Sequence, residues 1–294
     1  MLWAVYTIIA AAAQTARNAM QRELTGTLGT VGATHVRFLF GFPFAILSLL
    51  GVLAVSHAPL PHPNFMFWPW IAVGFLAQIA ATALMLATMN DRSFVVTIAY
   101  IKTEPVQVAL FGFVLLGDKI TPLLAVAILI ATAGVVVMSL KPGAVSAGGV
   151  KPTVLGLVSG GMFGISAVGY RGAILDLHLA NYVVAATYTL AVGLILQAAL
   201  LSAWLAVREP KVLKAIVQAW RPSLAAGFMG ALASQFWFLA FAIATAASVR
   251  TLALVEVLFA QAISKFVFKQ PTAPREAIGI LLIVIGVALL VWAH

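Results

Sequence analysis

The sequence predicts an all-α membrane protein of ten transmembrane helices arranged as two inverted five-helix repeats. Three observations carry this. Of 294 residues, 63% are hydrophobic and only 9% charged, with a mean hydropathy of +1.09, whereas a soluble domain carries about 25% charged residues. Apolar runs recur along the whole chain, each long enough to cross a ~30 Å hydrocarbon core as a helix. A Gly/Ser/Pro-rich linker, KPGAVSAGGVKP, falls near the midpoint and divides two halves that resemble each other at an offset of about 152 residues.

The spans are expected near residues 2–20, 32–55, 67–89, 94–116 and 120–140, then 152–174, 181–207, 223–245, 247–268 and 277–292. Residues 1–145 form the first repeat and 146–294 the second. GFLAQIAATALMLA from Gly74 resembles GFMGALASQFWFLA from Gly227, and AILIATAGVVVM from Ala127 resembles GILLIVIGVALL from Gly279. Glu104 falls on Glu256. Five spans per half, an odd number, set the halves in opposite orientation, a transporter architecture with its site near the midplane.

Orientation follows from the basic residues. The connections after spans 1, 3, 5, 7 and 9 hold Arg17, Arg22, Arg37, Arg92, Lys141, Lys151, Arg208, Lys211, Lys214, Arg221, Lys265, Lys269 and Arg275. The other face holds Lys119, Arg171 and Arg250. Thirteen against three places both termini outside the cytoplasm. The net charge of +9 is read as cytoplasmic loops facing an anionic leaflet, not as nucleic-acid binding. With no cysteine, disulfides, thiolate catalysis and Cys-ligated metals are excluded. The first residues lack the basic start of a cleaved leader and read as span 1.

Charged residues at membrane depth face a cavity or a partner. Thr97, Tyr100, Glu104, Gln107 and Phe111 recur at helical spacing, so a continuous span 4 lines them up as the wall of a water-filled cavity. Lys102 and Glu104 are two apart and point different ways, so they do not pair with each other. Pro105 removes a backbone donor and opens the helix locally. Other spans offer Gln14 and Asn18, His35, Gln78 and Thr82, Tyr170, Ser234 and Trp237, and Glu256. Against each stands ordinary packing. Gly156, Gly160 and Gly164 share one face of span 6 and permit close helix approach. Trp68, Trp70, Trp220 and Trp292 read as interfacial anchors. No metalloprotease, nucleophile-elbow or phosphate-loop motif occurs, so no catalytic residue, metal or cofactor is predicted and transport must be facilitated or gradient-driven. Glu104 is the candidate coupling group.

Pro105, Val106, Leu110, the run Leu115–Thr121 and Gly134, with Gly279, Ile280 and Gly286 in the second copy, resemble the EamA family of the drug/metabolite transporter superfamily, and within it the YddG-like exporters of aromatic and other amino acids. The resemblance implies a multi-pass protein of a bacterial-type inner membrane, working as a monomer and exporting amino acids or related small metabolites by alternating access. Gly117-Asp118 and Lys269-Gln270 stand where the family has Gly-Glu, and Val257 where it has a second proline. Family habit puts both termini in the cytoplasm, against the charge count. The alternatives are a multidrug exporter holding a lipophilic cation on Glu104 or Glu256, and a membrane-embedded lipid-modifying enzyme.

Overall fold

A computed structural model describes residues 1–91, 97, 100–139, 150–266 and 274–293. The regular structure of these residues is helical throughout. In chain order the helices are α1 (Leu2–Leu39), α2 (Phe42–Ser56), α3 (Phe67–Asp91), α4 (Glu104–Leu116), α5 (Pro122–Ser139) and α6 (Val150–Asp176). There follow α7 (Tyr182–Arg208), α8 (Pro210–Gln218), α9 (Trp220–Ile243), α10 (Ala246–Leu252), α11 (Val255–Phe266) and α12 (Pro274–Trp292). Six runs among the described residues are long and apolar enough to cross a membrane: Leu2–Ser56, Phe67–Met89, Thr153–Asp176, Tyr182–Arg208, Trp220–Ile243 and Pro274–Trp292. Leu47, Leu50, Phe113, Val114, Leu129, Ile278 and Leu281 stand exposed on the outside, apolar surface of the kind that lipid covers. The protein is an α-helical, multi-pass membrane protein.

The run Leu2–Ser56 covers both of the first two expected spans. Gly29, at φ 67° and ψ 176°, breaks α1 between residues 2–28 and 30–39, a backbone conformation open to glycine and little else. The Gln21 amide donates to the Ala33 carbonyl at 2.9 Å, tying the two arms. The expected continuous spans 4 and 9 are corrected in the same way. Turns at residues 102–103 and 253–254 leave α4 starting at Glu104 and α11 at Val255. Pro105 sits in the first turn of α4, where its missing donor is harmless. No proline accompanies the second break, so proline is not what the two share. A glutamate in the first turn is.

The expected loop around Glu209 contains a short helix, α8, with Ile216 buried and Lys211 and Lys214 exposed. Its apolar side meets α1, where a Cβ on Gly32 would touch Val212 at 2.9 Å. Such two-faced helices lie in the membrane interface. Trp68, Trp220 and Trp292 are exposed at helix ends, whereas Trp70 covers Gly172.

Helices pair closely as α1 with α9, α3 with α6 and α5 with α12. The α5–α12 crossing depends on missing side chains. A Cβ on Gly134 would lie 2.8 Å from both the Gly279 carbonyl oxygen and the Ile283 nitrogen, and one on Gly286 would lie 2.6 Å from the Ala131 nitrogen. The core beside it holds Phe38, Phe67, Tyr170, Trp237, Phe238 and Phe241.

We predict that Gly134→Val lowers stability by at least about 1–3 kcal/mol, the usual cost of overpacking, because backbone cannot yield as a side chain can. Gly51→Ala, with open space around it, should be neutral or slightly stabilising. Thermal melting in detergent checks both, and equal melting of the two variants contradicts the close crossing.

Candidate functional site: a buried charge cluster

The two helix breaks bring their glutamates into one interior. Glu104 and Glu256 are each about 4% exposed, and each lies in the first turn of its helix. There the free backbone N–H groups and the positive end of the dipole favour a negative charge. Each glutamate also meets a cation from the other half of the sequence. Lys102 Nζ donates to Glu256 Oε2 at 2.5 Å, and Arg250 Nε lies 3.0 Å from Glu104 Oε1. The second contact is ionic without being a directed hydrogen bond, since neither atom has a hydrogen-bond partner. Arg250 is in the last turn of α10, the end that favours a cation. Its guanidinium also stacks 4.5 Å over the Trp237 ring and 5.4 Å from Phe241, a cation–π arrangement.

Two further cations are buried here. Arg17 donates to Asn18 Oδ1 through Nε and Nη2. Arg37 donates to Thr82 Oγ1 and Ser234 Oγ, both at 3.3 Å. Gln14 Oε1 accepts from Trp237 Nε1 at 3.1 Å. Tyr170 and Gln197 both donate to Gln78 Oε1, at 3.3 and 3.0 Å. These groups line two adjoining cavities that share Gln14, Phe163 and Arg250. Each leaves about 10 Å³ for the centre of a water molecule, room for a single water. A larger cleft of about 640 Å³ between α1, α8 and α9 is mostly apolar and shares no lining residue with these two, with Glu23 as its charged lining residue.

One end of the cluster is closed by a polar latch. Arg171 Nη1 donates to the carbonyls of Phe241 at 2.6 Å and Ala244 at 2.5 Å, capping the last turn of α9. Its Nη2 lies 3.5 Å from Asp118 Oδ1. Met85, Ile101 and Phe163 belong to an apolar cluster against the other side of the charges. Around these charges the two cavities leave no more than water-sized space.

Of the residues singled out in the sequence, Gln14, Asn18, Gln78, Glu104, Tyr170, Ser234 and Trp237 line these cavities. Thr82 and Glu256 join through their partners Arg37 and Lys102. The stripe reading of span 4 is corrected. Tyr100 and Gln107 turn onto α6, where Cβ atoms on Gly156 and Gly161 would touch them at 2.6 and 2.5 Å, and Phe111 faces Gly164. Tyr100 Oη accepts from Thr153, and Thr97 is buried. The break at residues 102–103 separates Tyr100 from Glu104, so the stripe is not one continuous helix face. His35 is also elsewhere, its Nε2 2.9 Å from Ser202 Oγ on α7. Arg17, Arg37 and Arg250, tallied above as loop charges, are interior at 1, 2 and 6% exposure. These three therefore drop out of the count of loop charges. Arg250 lies within an expected apolar span, and that was the available signal.

No protein-family model matches the chain, and no curated protein matches it significantly. Solved structures do. One, described only as "Crystal structure of protein", is similar to this chain with a TM-score of 0.69 at 16% identity, covering 99% of this chain and 96% of its own. That likeness extends the fold over nearly the whole sequence and carries nothing about activity.

Breaking one ion pair strands a buried charge, which costs about 3–5 kcal/mol, while removing both partners is often neutral. We predict that Lys102→Met and Glu256→Gln are each strongly destabilising and that the double variant recovers most of the loss. Melting of the four proteins in detergent gives the coupling. Additive losses would contradict the pairing.

Proposed function

We propose that the chain is a carrier of small metabolites in a bacterial-type inner membrane, exporting amino acids, aromatic ones included, by alternating access. The observation that carries this is the charge cluster itself, polar groups from both halves meeting in an otherwise apolar, aromatic-lined interior. Ionisable groups at that depth mark solute or ion paths by default. Residues such as Phe163, Phe238 and Phe241 would receive an apolar side chain, and the arginines and amides its polar end.

On this reading the ten spans form two inverted repeats, residues 1–145 and 146–294. Several observations support it. The helix breaks at 102–103 and 253–254 stand about 152 residues apart. Gly134 meets Gly279 and Ile283 while Gly286 meets Ala127 and Ala131, contacts that exchange under the same offset. The α1–α9 pairing and the α3–α6 pairing are likewise exchanged when span n is replaced by span n+5. Unpacking such a pseudo-symmetric core on one side while it closes on the other is alternating access. The Arg171 latch would be one gate. Protonation of Glu104 would release Arg250 from its partner and couple the cycle to protons. No cofactor is required, and a monomer suffices.

A lipid-modifying enzyme draws one observation, the His35–Ser202 pair. Its imidazole lacks the orienting partner that nucleophile activation uses, since Nδ1 is buried without a hydrogen bond. The carrier reading is preferred.

The test is counterflow into proteoliposomes preloaded with single amino acids, among them phenylalanine, threonine and glutamate. Exchange above protein-free vesicles is expected for some of these, and its absence across the panel contradicts the reading. With a pH gradient imposed, Glu104→Gln should keep exchange and lose gradient-driven accumulation. If the unaltered protein ignores the gradient, Glu104 serves structure or substrate binding instead.

A further inference from the structure

The charges in the interior do not balance. Among the described residues, the cations buried around the cavities are Arg17, Arg37, Lys102 and Arg250, and the buried acids are Glu104 and Glu256. Both acids are already held by Lys102 and Arg250. Arg171 and Asp118 satisfy each other at the latch. Arg17 and Arg37 hydrogen-bond to neutral oxygens only, with Arg17 also in the field of Glu256, and both keep N–H groups to spare, because Arg17 Nη1 and Arg37 Nε have no acceptor. Both side chains are at least 98% buried.

The two arginines converge. A Cβ on Gly230 of α9 would lie 3.1 Å from Arg37 Cγ and 3.4 Å from Arg17 Cδ, so the bare backbone of α9 at this point admits both stems side by side. Arg37 lines one of the adjoining cavities and Arg17 the other. Ser166 Oγ, buried and also without a partner, lines the same cavity as Arg37. An uncompensated buried charge is costly, and two together add repulsion. That arrangement is strained until something negative arrives.

Resting on the carrier reading but replacing its zwitterionic amino acids as preferred substrate, we propose that Arg17 and Arg37 form a binding site for the carboxylate of a substrate with a net negative charge, an organic anion and not a zwitterion or a cation. Guanidinium forks match a carboxylate in two-point geometry. A zwitterion would bring an ammonium group that finds both acids already occupied, and a lipophilic cation would meet an excess of two positive charges. Phe163, Trp237 and Phe238 line the same cavities, which must widen before an aryl or alkyl body on that anion can enter.

A matched series isolates the charge: 3-phenylpropionate, L-phenylalanine and 2-phenylethylamine share one body and carry −1, 0 and +1, with succinate as a second, non-aromatic anion. Binding to the purified full chain in detergent is read by Trp fluorescence and thermal shift, apart from flux. We expect at least one of the two anions to bind, and 3-phenylpropionate to bind roughly tenfold or more tighter than phenylalanine, with phenylethylamine weakest. Arg17→Gln and Arg37→Gln should each weaken anion binding about tenfold or more while the unliganded variants melt no lower than the parent, since each removes an unpaired charge. Arg37→Lys, which keeps the charge and loses the fork, should fall between. Equal or tighter binding of phenylalanine or phenylethylamine, no binding of either anion, or unchanged affinity in folded variants overturns the proposal. Anion binding without exchange in proteoliposomes would leave the site standing and remove the carrier. Exchange of zwitterions with no anion binding would do the reverse.

Discussion

Two carboxylates in an apolar interior constrain nearly everything else in this molecule. Glu104 and Glu256 could not remain charged there unaided. The chain compensates each one twice, with a helix N-terminus and with a cation from the opposite half. Starting a helix at a glutamate in the protein interior requires breaking the helical run there, which frees backbone carbonyls and donors. Such irregular backbone is tolerated only where protein or a cavity surrounds it. The glycine face of α6 provides that cover for span 4, with the Ile101 carbonyl oxygen 2.9 Å from where a Cβ on Gly160 would stand. The breaks, the glycines and the crossed ion pairs are thus one solution to one problem.

The same arrangement suits movement. Crossed pairs bind the halves together at the centre, while the latch of Arg171 lies toward one end, where α6, the turn after α4 and the end of α9 meet. Its carbonyl contacts satisfy groups that water would satisfy equally well when the end opens. Separating that end therefore costs less than separating the centre. On the proposed carrier reading, a rocking motion about the charge cluster would open the latch end first and leave the crossed pairs intact.

The helical, multi-pass character was legible in the sequence because it rests on apolar length. Span positions follow from hydropathy, and the glycine pattern GLVSGGMFG foretells the close α6 contacts. Helix breaks were less legible. Pro105 signals one, but the break before Val255 has no local marker, because tertiary compensation of Glu256 produces it. Partnership was legible only in the negative: spacing says that Lys102 and Glu104 diverge, and nothing in one sequence says that Lys102 reaches Glu256. Counting arginines by their nearest loop placed Arg17 and Arg37 at the surface, since a long side chain near a helix end ordinarily reaches water. Here the bend at Gly29 and the bare strip at Gly230 fold them inward instead.

The most direct measurement uses the absence of cysteine from the sequence. Ser234→Cys places one thiol beside Arg37 in the buried interior, and a small impermeant thiol reagent can then be applied from either face of oriented vesicles. If the charge cluster is a substrate site reached alternately from both sides, the thiol reacts slowly from each face and a transported solute changes both rates. A thiol inert from both faces in active vesicles, or rates indifferent to every solute that exchanges, would contradict the account.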